Sequence, residues 1–260
     1  MTYYRILDIT HDINTFEFYL CNTQLSSLPA DICNLINLKQ LIICNNQLSG
    51  LLPAIGNLIN LNTLDLSNNK LSSLPTSIGN LINLTILFLQ SNQLSDLPTT
   101  IGNLINLQEL RLSSNNLSSL PATISNLINL QGLEIMQNQL SSLPETIGNL
   151  INLRRCYLDY NKLSSLPASI GNLINLRSLY LHNNKLSSLP AEILNIKTIL
   201  NINETSYEIN NLDIECAILI FSDLNINIGN LPMNIKEIWL NSNIKNPNIK
   251  LPFGCKIKII

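Results

Sequence analysis

Residues 61–83 read LNTLDLSNNKLSSLPTSIGNLIN, the next 23 read LTILFLQSNQLSDLPTTIGNLIN, and the 23 after those read LQELRLSSNNLSSLPATISNLIN. Self-similarity at a fixed period means stacked units, and it decides the fold before any single residue does. On the register that begins at Thr15, eight units run to Thr198, opening at Thr15, Leu38, Leu61, Leu84, Leu107, Leu130, Leu153 and Leu176. Apolar residues recur at unit positions 1, 4, 6, 11, 14, 18 and 21. An asparagine holds position 9 from Asn46 to Asn184, with Thr23 in the first unit.

Positions 3 to 5, such as Thr63-Leu64-Asp65, alternate polar and apolar, the period of a half-buried strand. Proline at position 15 (Pro29, Pro75, Pro98, Pro121, Pro144, Pro167, Pro190) suits a turn or the start of a short helix. In the second unit it slips by one, to Pro53, so that turn is expected to differ. Apolar residues at 18 and 21 lie three apart, as on one face of a short helical segment. Each unit thus predicts a strand, a turn and a short helical return. The position-9 asparagine is placed to bond backbone groups of neighbouring units. One unit is too small to bury its own apolar face, so stability comes from stacking and the ends need caps.

The pattern LPxxIGNLxNLxxLxLxxNxL resembles the leucine-rich repeat family. It is most similar to intracellular Ras-group repeat proteins and to those of large DNA viruses and intracellular bacteria. The resemblance implies an α/β solenoid, a horseshoe with a parallel β-sheet on the concave face and short helical or 3-10 returns on the convex face. It also implies a protein partner. Residues 1–14 fall outside the repeat and are expected to form an N-terminal cap, and residues 15–198 hold the eight repeats. Residues 199–260 are expected to be degenerate repeats closed by a C-terminal cap. There Ile199 and Ile202 are assigned positions 1 and 4, Ile218 and Ile220 positions 4 and 6, and Ile235, Ile238, Leu240 and Asn243 positions 1, 4, 6 and 9. The last group resembles the shorter repeats of some bacterial effectors.

With 45% apolar and 12% charged residues, the composition is that of a folded protein. A net charge of −2 with no basic stripe argues against nucleic acid as a partner. No run approaches the length of a membrane span, and the start lacks the basic and apolar regions of a signal peptide, so neither is expected. Secreted members of the resembled family carry clustered cysteines in flanking caps; the six cysteines here are scattered. Cys21 and Cys44 share position 7 of adjacent units, a spacing read as slightly wide for a bridge. The expected setting is therefore reducing and cytoplasmic, in the source cell or in a host cell. The two histidines, His11 and His182, are far apart along a solenoid, and no phosphate loop, Cys-x-x-Cys or metal-spaced cluster exists. No enzyme, cofactor or metal is expected.

Ser-Ser at positions 12–13 and Gly-Asn at 19–20 scarcely change between units, whereas positions 2, 3, 5, 7 and 8 vary almost freely. Diversification of the concave face for binding explains this contrast; so does turn geometry at the constant positions. The densest constellation is Arg154, Arg155, Tyr157, Asp159 and Tyr160 in the seventh unit with Arg177, Tyr180 and His182 in the eighth. Tyr and Arg dominate interface hot spots, so these residues are the candidate partner-binding site, cationic and aromatic, suited to an acidic epitope. Gly132 and Ser178 beside them are expected to leave room for a partner's side chain. The resulting expectation is a monomeric, non-enzymatic interaction module. The alternative is the recognition subunit of a ligase or signalling complex whose activity is supplied in trans.

Overall fold

The computed structural model describes residues 16–186 without a break, then Pro190, Glu192, Ile193, Ile196 and four short strands. The expected cap over residues 1–14 lies outside the described residues. Eight strands carry the regular units: β1 (Glu17–Tyr19), β2 (Gln40–Ile42), β3 (Thr63–Asp65), β4 (Ile86–Phe88), β5 (Glu109–Arg111), β6 (Gly132–Glu134), β7 (Arg155–Tyr157) and β8 (Ser178–Tyr180). Four more follow, β9 (Ile199–Asn201), β10 (Ile218–Phe221), β11 (Glu237–Leu240) and β12 (Lys256–Ile259). All twelve form one parallel sheet in sequence order, with each residue opposite its counterpart in the next unit. The molecule is a solenoid of stacked strand-and-turn units, as the resemblance implies.

Strands β1–β8 are three residues long, and in β2–β5 and β8 position 4 is buried between two half-exposed neighbours. In the unit from Leu84, the side chains of Leu84, Leu87, Leu89, Leu94, Ile101 and Leu104 have no exposed surface. Repeated in every unit, these positions make one continuous core. The polypeptide returns through five-residue 3-10 turns such as Thr76–Asn80, preceded by Pro75 at φ −67° and ψ 148°. Where proline slips to Pro53, the turn Pro53–Asn57 occupies the same unit positions, entered from Leu52 at φ −70° and ψ 144°. The expected difference is therefore absent, because proline's fixed φ suits both the residue before the turn and its first residue. Position 19 is buried: a Cβ on Gly79 would lie 2.7 Å from Thr100 Cβ in the next turn. Packing holds that glycine constant.

The position-9 asparagines form the expected ladder. Asn115 Nδ2 donates to Leu89 O of the preceding unit at 3.0 Å and to Leu112 O at 2.9 Å. Its Oδ1 accepts the Leu94 N–H at 3.0 Å. A second ladder, not anticipated, uses position 23: Asn106 Nδ2 donates to Ile82 O at 2.9 Å, and Asn129 Nδ2 to Ile105 O at 2.8 Å.

Beyond β8 the register departs from the one read in the sequence. Leu200 pairs with Leu179 at position 4, where Ile202 was expected, and Leu219, not Ile218, pairs with Leu200. Ile238 keeps position 4 as expected, opposite Leu219. The step from Ser178 to Ile199 is 21 residues, so a 23-residue register carried past β8 overshoots Leu200 to Ile202, and from Ile199 the units step by 19, to Ile218, Glu237 and Lys256.

Candidate functional site

The candidate residues sit where β7 and β8 and the residues flanking them lie side by side. Position 5 brings Phe88, Arg111, Glu134, Tyr157 and Tyr180 into one row across β4–β8, and position 3 brings Ile86, Glu109, Gly132, Arg155 and Ser178 into a second. Parallel strands in register stand about 4.8 Å apart, so each side chain meets its counterparts in the adjoining units.

Those meetings pair most of the charge. Arg155 Nη2 lies 2.5 Å from Glu109 Oε1, reaching over β6 to a residue two units away. This contact with Glu109 raises the Arg155 pKa above its ordinary value. Gly132 makes the reach possible: a Cβ there would fall on the Glu109 carboxylate and 3.1 Å from Arg155 Nη2. The space expected to admit a partner's side chain is filled from within. Arg111 lies between the Phe88 ring, 4.4 Å from its centroid, and Glu134, with Nε 3.4 Å from Oε1. Tyr157 and Tyr180 stack with centroids 4.7 Å apart and planes 15° apart. Burial, with Tyr180 next, raises the Tyr157 pKa.

Position 7 differs from the expectation of a side chain facing a partner. Asp159 is 1% exposed. Its Oδ1 lies 2.5 Å from His182 Nδ1 and accepts the His182 backbone N–H at 3.1 Å, so Asp159 positions the imidazole and is itself out of reach. Position 8 is constrained too: from Asn22 to Asn183 its residues have φ between 53° and 61°. Asparagine, serine and glutamine fill that left-handed conformation elsewhere, whereas Tyr160 adopts it at φ 54° with a bulky ring half exposed and edge-on to His182 at 5.1 Å. Such a conformation costs about 1–2 kcal/mol outside glycine and asparagine, and an outlier of this kind points to use of the side chain. Arg154 and Arg177, at position 2, are exposed at the near ends of β7 and β8, linked through the Arg177 N–H to Arg154 O bond of 2.8 Å.

The structure thus gathers Tyr157, Tyr180, Tyr160 and His182 into one aromatic surface, sets Arg155 into an ion pair, buries Asp159, and leaves Arg154 and Arg177 on the rim. Sequence reading missed the Phe88–Arg111–Glu134 and Glu109–Arg155 contacts. The signal was present, since in-register stacking makes Glu109, Gly132 and Arg155 successive members of one row. Among the described residues no three of His, Cys, Asp and Glu gather as metal ligands do, and no helix is long and apolar enough to cross a membrane. Burial and the nearby Asp159 push the Cys156 thiol up to about 12.

At the opposite end of the same sheet, Cys21 and Cys44 are joined by a disulfide. Their Cα atoms are 4.7 Å apart, inside the range a bridge spans, so the expectation that in-register strands hold them too far apart is corrected. Cysteine usage therefore gives no support to a reducing compartment.

A model described as a leucine-rich repeat region matches residues 4–115, and one for the single leucine-rich repeat matches residues 106–127, 152–173 and 175–196. The chain belongs to the leucine-rich repeat family. No curated protein matches it in sequence. Solved structures similar to this leucine-rich repeat chain include a leucine-rich repeat protein of Leptospira interrogans, 27% identical, with a TM-score of 0.70 over 95% of this chain and 78% of that one. The plant peptide hormone receptor RGFR1, solved in complex with RGF2, is 28% identical with a TM-score of 0.67, over 88% of this chain and 41% of that one. The Arabidopsis receptor kinase HAESA, solved with the peptide hormone IDA and the co-receptor SERK1, is 27% identical with a TM-score of 0.64, over 88% of this chain and 43% of that one. The chain spans less than half the length of these two plant receptors. Leucine-rich repeat folds are commonly protein–protein interaction modules and usually not enzymes.

Proposed function

We propose that this leucine-rich repeat chain is a non-enzymatic module that holds a protein or peptide partner on its concave face, over β7 and β8. The observation that carries the proposal is the Tyr157–Tyr180 stack, half exposed on the sheet beside Tyr160 in its left-handed conformation. Tyrosine offers a large contact area with few rotatable bonds, which makes it a frequent anchor. The chemistry of the partner shifts from the acidic epitope read in the sequence. Arg155 and Arg111 already face Glu109 and Glu134, so an extended, largely neutral segment fits the tyrosines, with Arg154 and Arg177 free to take a carboxylate at the rim. The plant receptors solved with peptide hormones support a ligand of that class. The proposal gives no weight to a cytoplasmic location, because the cysteines behind it include the bridged pair.

Affinity capture with the wild-type chain and with Tyr157→Ala/Tyr180→Ala, both shown folded by circular dichroism, tests the proposal. A partner retained by the wild type and lost by the variant is expected. Equal retention by both would overturn the assignment to β7–β8. A catalytic subunit among the retained proteins would favour the reading as a recognition subunit acting in trans.

A further inference from the structure

Seven isoleucines stand in a row away from the sheet: Ile36, Ile59, Ile82, Ile105, Ile128, Ile151 and Ile174. Each occupies position 22, in the link between a 3-10 turn and the next strand, and each is 46–66% exposed. They are seven of the eleven large exposed hydrophobic side chains among the described residues, so most of that exposed apolar surface is concentrated in one line. The backbone beneath them is held fast. The Ile105 N–H donates to Asn103 O at 2.9 Å, and Ile105 O accepts from Asn129 Nδ2 at 2.8 Å. Presented on fixed links at strand spacing, the side chains form a ridge with a repeat of about 4.8 Å.

The row carries no charge along its length. Positions 20 and 23 on either side are asparagine in every unit from Asn34 to Asn175, and position 2 holds Asn62, Thr85, Gln108 and Gln131 across the middle. Cations stand only at its ends, Lys39 at one and Arg154 and Arg177 at the other, and the next position-22 residue in the sequence is Lys197. Fold geometry alone does not demand isoleucine here, because the ladder below runs through backbone carbonyls and another β-branched residue suits the same link.

We propose that this row is a self-association surface on which a second copy of the chain docks, row against row, about a twofold axis. Three observations select a second copy. The isoleucines and their flanks present on the order of 600 Å², at the upper end for a monomer's largest patch and close to the ~800 Å² per partner of a standard interface. The absence of charge lets two identical surfaces meet without repulsion, as interface cores require. A second copy also has the same pitch by construction, so the isoleucines of one stay in step with those of the other along the whole row. The twofold axis makes the contact isologous and closed, with Ile105, the middle residue, nearest its own counterpart and Ile36 opposite Ile174. The end cations lie on the rim, where long side chains reach water. The monomer expected from the sequence gives way to a dimer.

Sedimentation equilibrium of the full chain tests this. The wild type is expected to approach twice the 29.0 kDa chain mass as concentration rises. Ile82→Thr/Ile105→Thr/Ile128→Thr, which keeps the β-branch, is expected to remain at the single-chain mass with an unchanged circular dichroism spectrum. A wild type that stays at the single-chain mass up to about 100 µM, the range of a weak homodimer, would overturn the proposal. So would equal association by the triple variant, or adsorption of a monomeric wild type to phosphatidylcholine vesicles. Single cysteine variants keep the test decisive if the triple variant misfolds. On mild oxidation Ile105→Cys is expected to crosslink to its copy well above the wild-type background and Ile36→Cys is not; the reverse pattern, or no crosslink with either, would overturn the twofold arrangement.

Discussion

From β4 to β8 every strand presents a different pair of side chains at positions 3 and 5, whereas the row from Ile36 to Ile174 repeats one residue in every unit. The concave face matches glutamate to arginine, ring to cation and ring to ring between neighbouring units, so each point along it is chemically distinct. The isoleucine row has no such address; sliding along it by one unit changes nothing but its ends. Variation suits discrimination between partners, because mismatched charges and unpaired polar groups penalise the wrong one. Uniformity suits a partner that shares the period. Both surfaces rest on the same continuous core, and the comparison can be broken at the scaffold or at either surface alone.

The largest effect is expected at the scaffold. Asn115→Leu strands the Leu94 N–H, at about 1–3 kcal/mol, and takes one of two amide donors from each of the Leu89 and Leu112 carbonyls, which keep Asn92 and Asn138, at about 0.5–1.5 kcal/mol for each bond lost. Urea denaturation should show a loss of about 4 kcal/mol, and partner capture and self-association should fall together. Survival of one without the other would show that the two surfaces do not share a scaffold. Next in size is Cys21→Ser/Cys44→Ser, which opens a link between residues 23 apart in sequence. A loss of about 3 kcal/mol is expected, read as a lower thermal midpoint that the wild type reproduces in reductant. This loss should centre on β1–β2 and leave the Ile105→Cys crosslink intact.

Gly132→Val separates the two surfaces. The added side chain displaces the Glu109–Arg155 pair, which is partly exposed and contributes about 1 kcal/mol at most. Partner capture should weaken while the dimer persists. The isoleucine triple variant should do the opposite, losing the dimer with a stability change of about 0.5 kcal/mol or less per site. The smallest effect concerns the thiol under β7. Because the Cys156 pKa is raised from 9.0 to about 12, iodoacetamide at pH 8 should leave it unlabelled in the native chain. The folded state holds that proton more tightly than the unfolded one, so its contribution to stability is complete below pH 9.0 and is lost as pH rises towards 12. Rapid labelling of Cys156 in the native chain would show that the core opens there.

Much of the candidate site was legible before the fold was known. The 23-residue period placed Tyr157 beside Tyr180 and Asp159 beside His182, because in-register stacking follows from the repeat itself. Contacts across two units were harder to see: Glu109 and Arg155 are 46 residues apart, and they meet only because Gly132 between them has no side chain. Tyr160 looked like any variable position until position 8 proved left-handed in every unit, a backbone that its bulky ring suits poorly. The isoleucines at position 22 drew no reading from the sequence, because a pattern that marks Leu104 and Leu107 as core positions does not say where Ile105 between them points.

Sequence by itself determined the repeat, the strand and return in each unit, the buried positions and the asparagine ladder, because each depends on periodicity and on backbone groups that must be paired. Tertiary structure alone decided that Asp159 is buried, that Arg155 is paired, that Cys21 meets Cys44 and that position 22 faces outward. It also decided that the shorter steps, read in the sequence only around Ile238, begin at Ile199. Those outcomes depend on distances of a few ångströms between side chains on different units, and a one-dimensional pattern carries position along the chain but not the direction in which a side chain points.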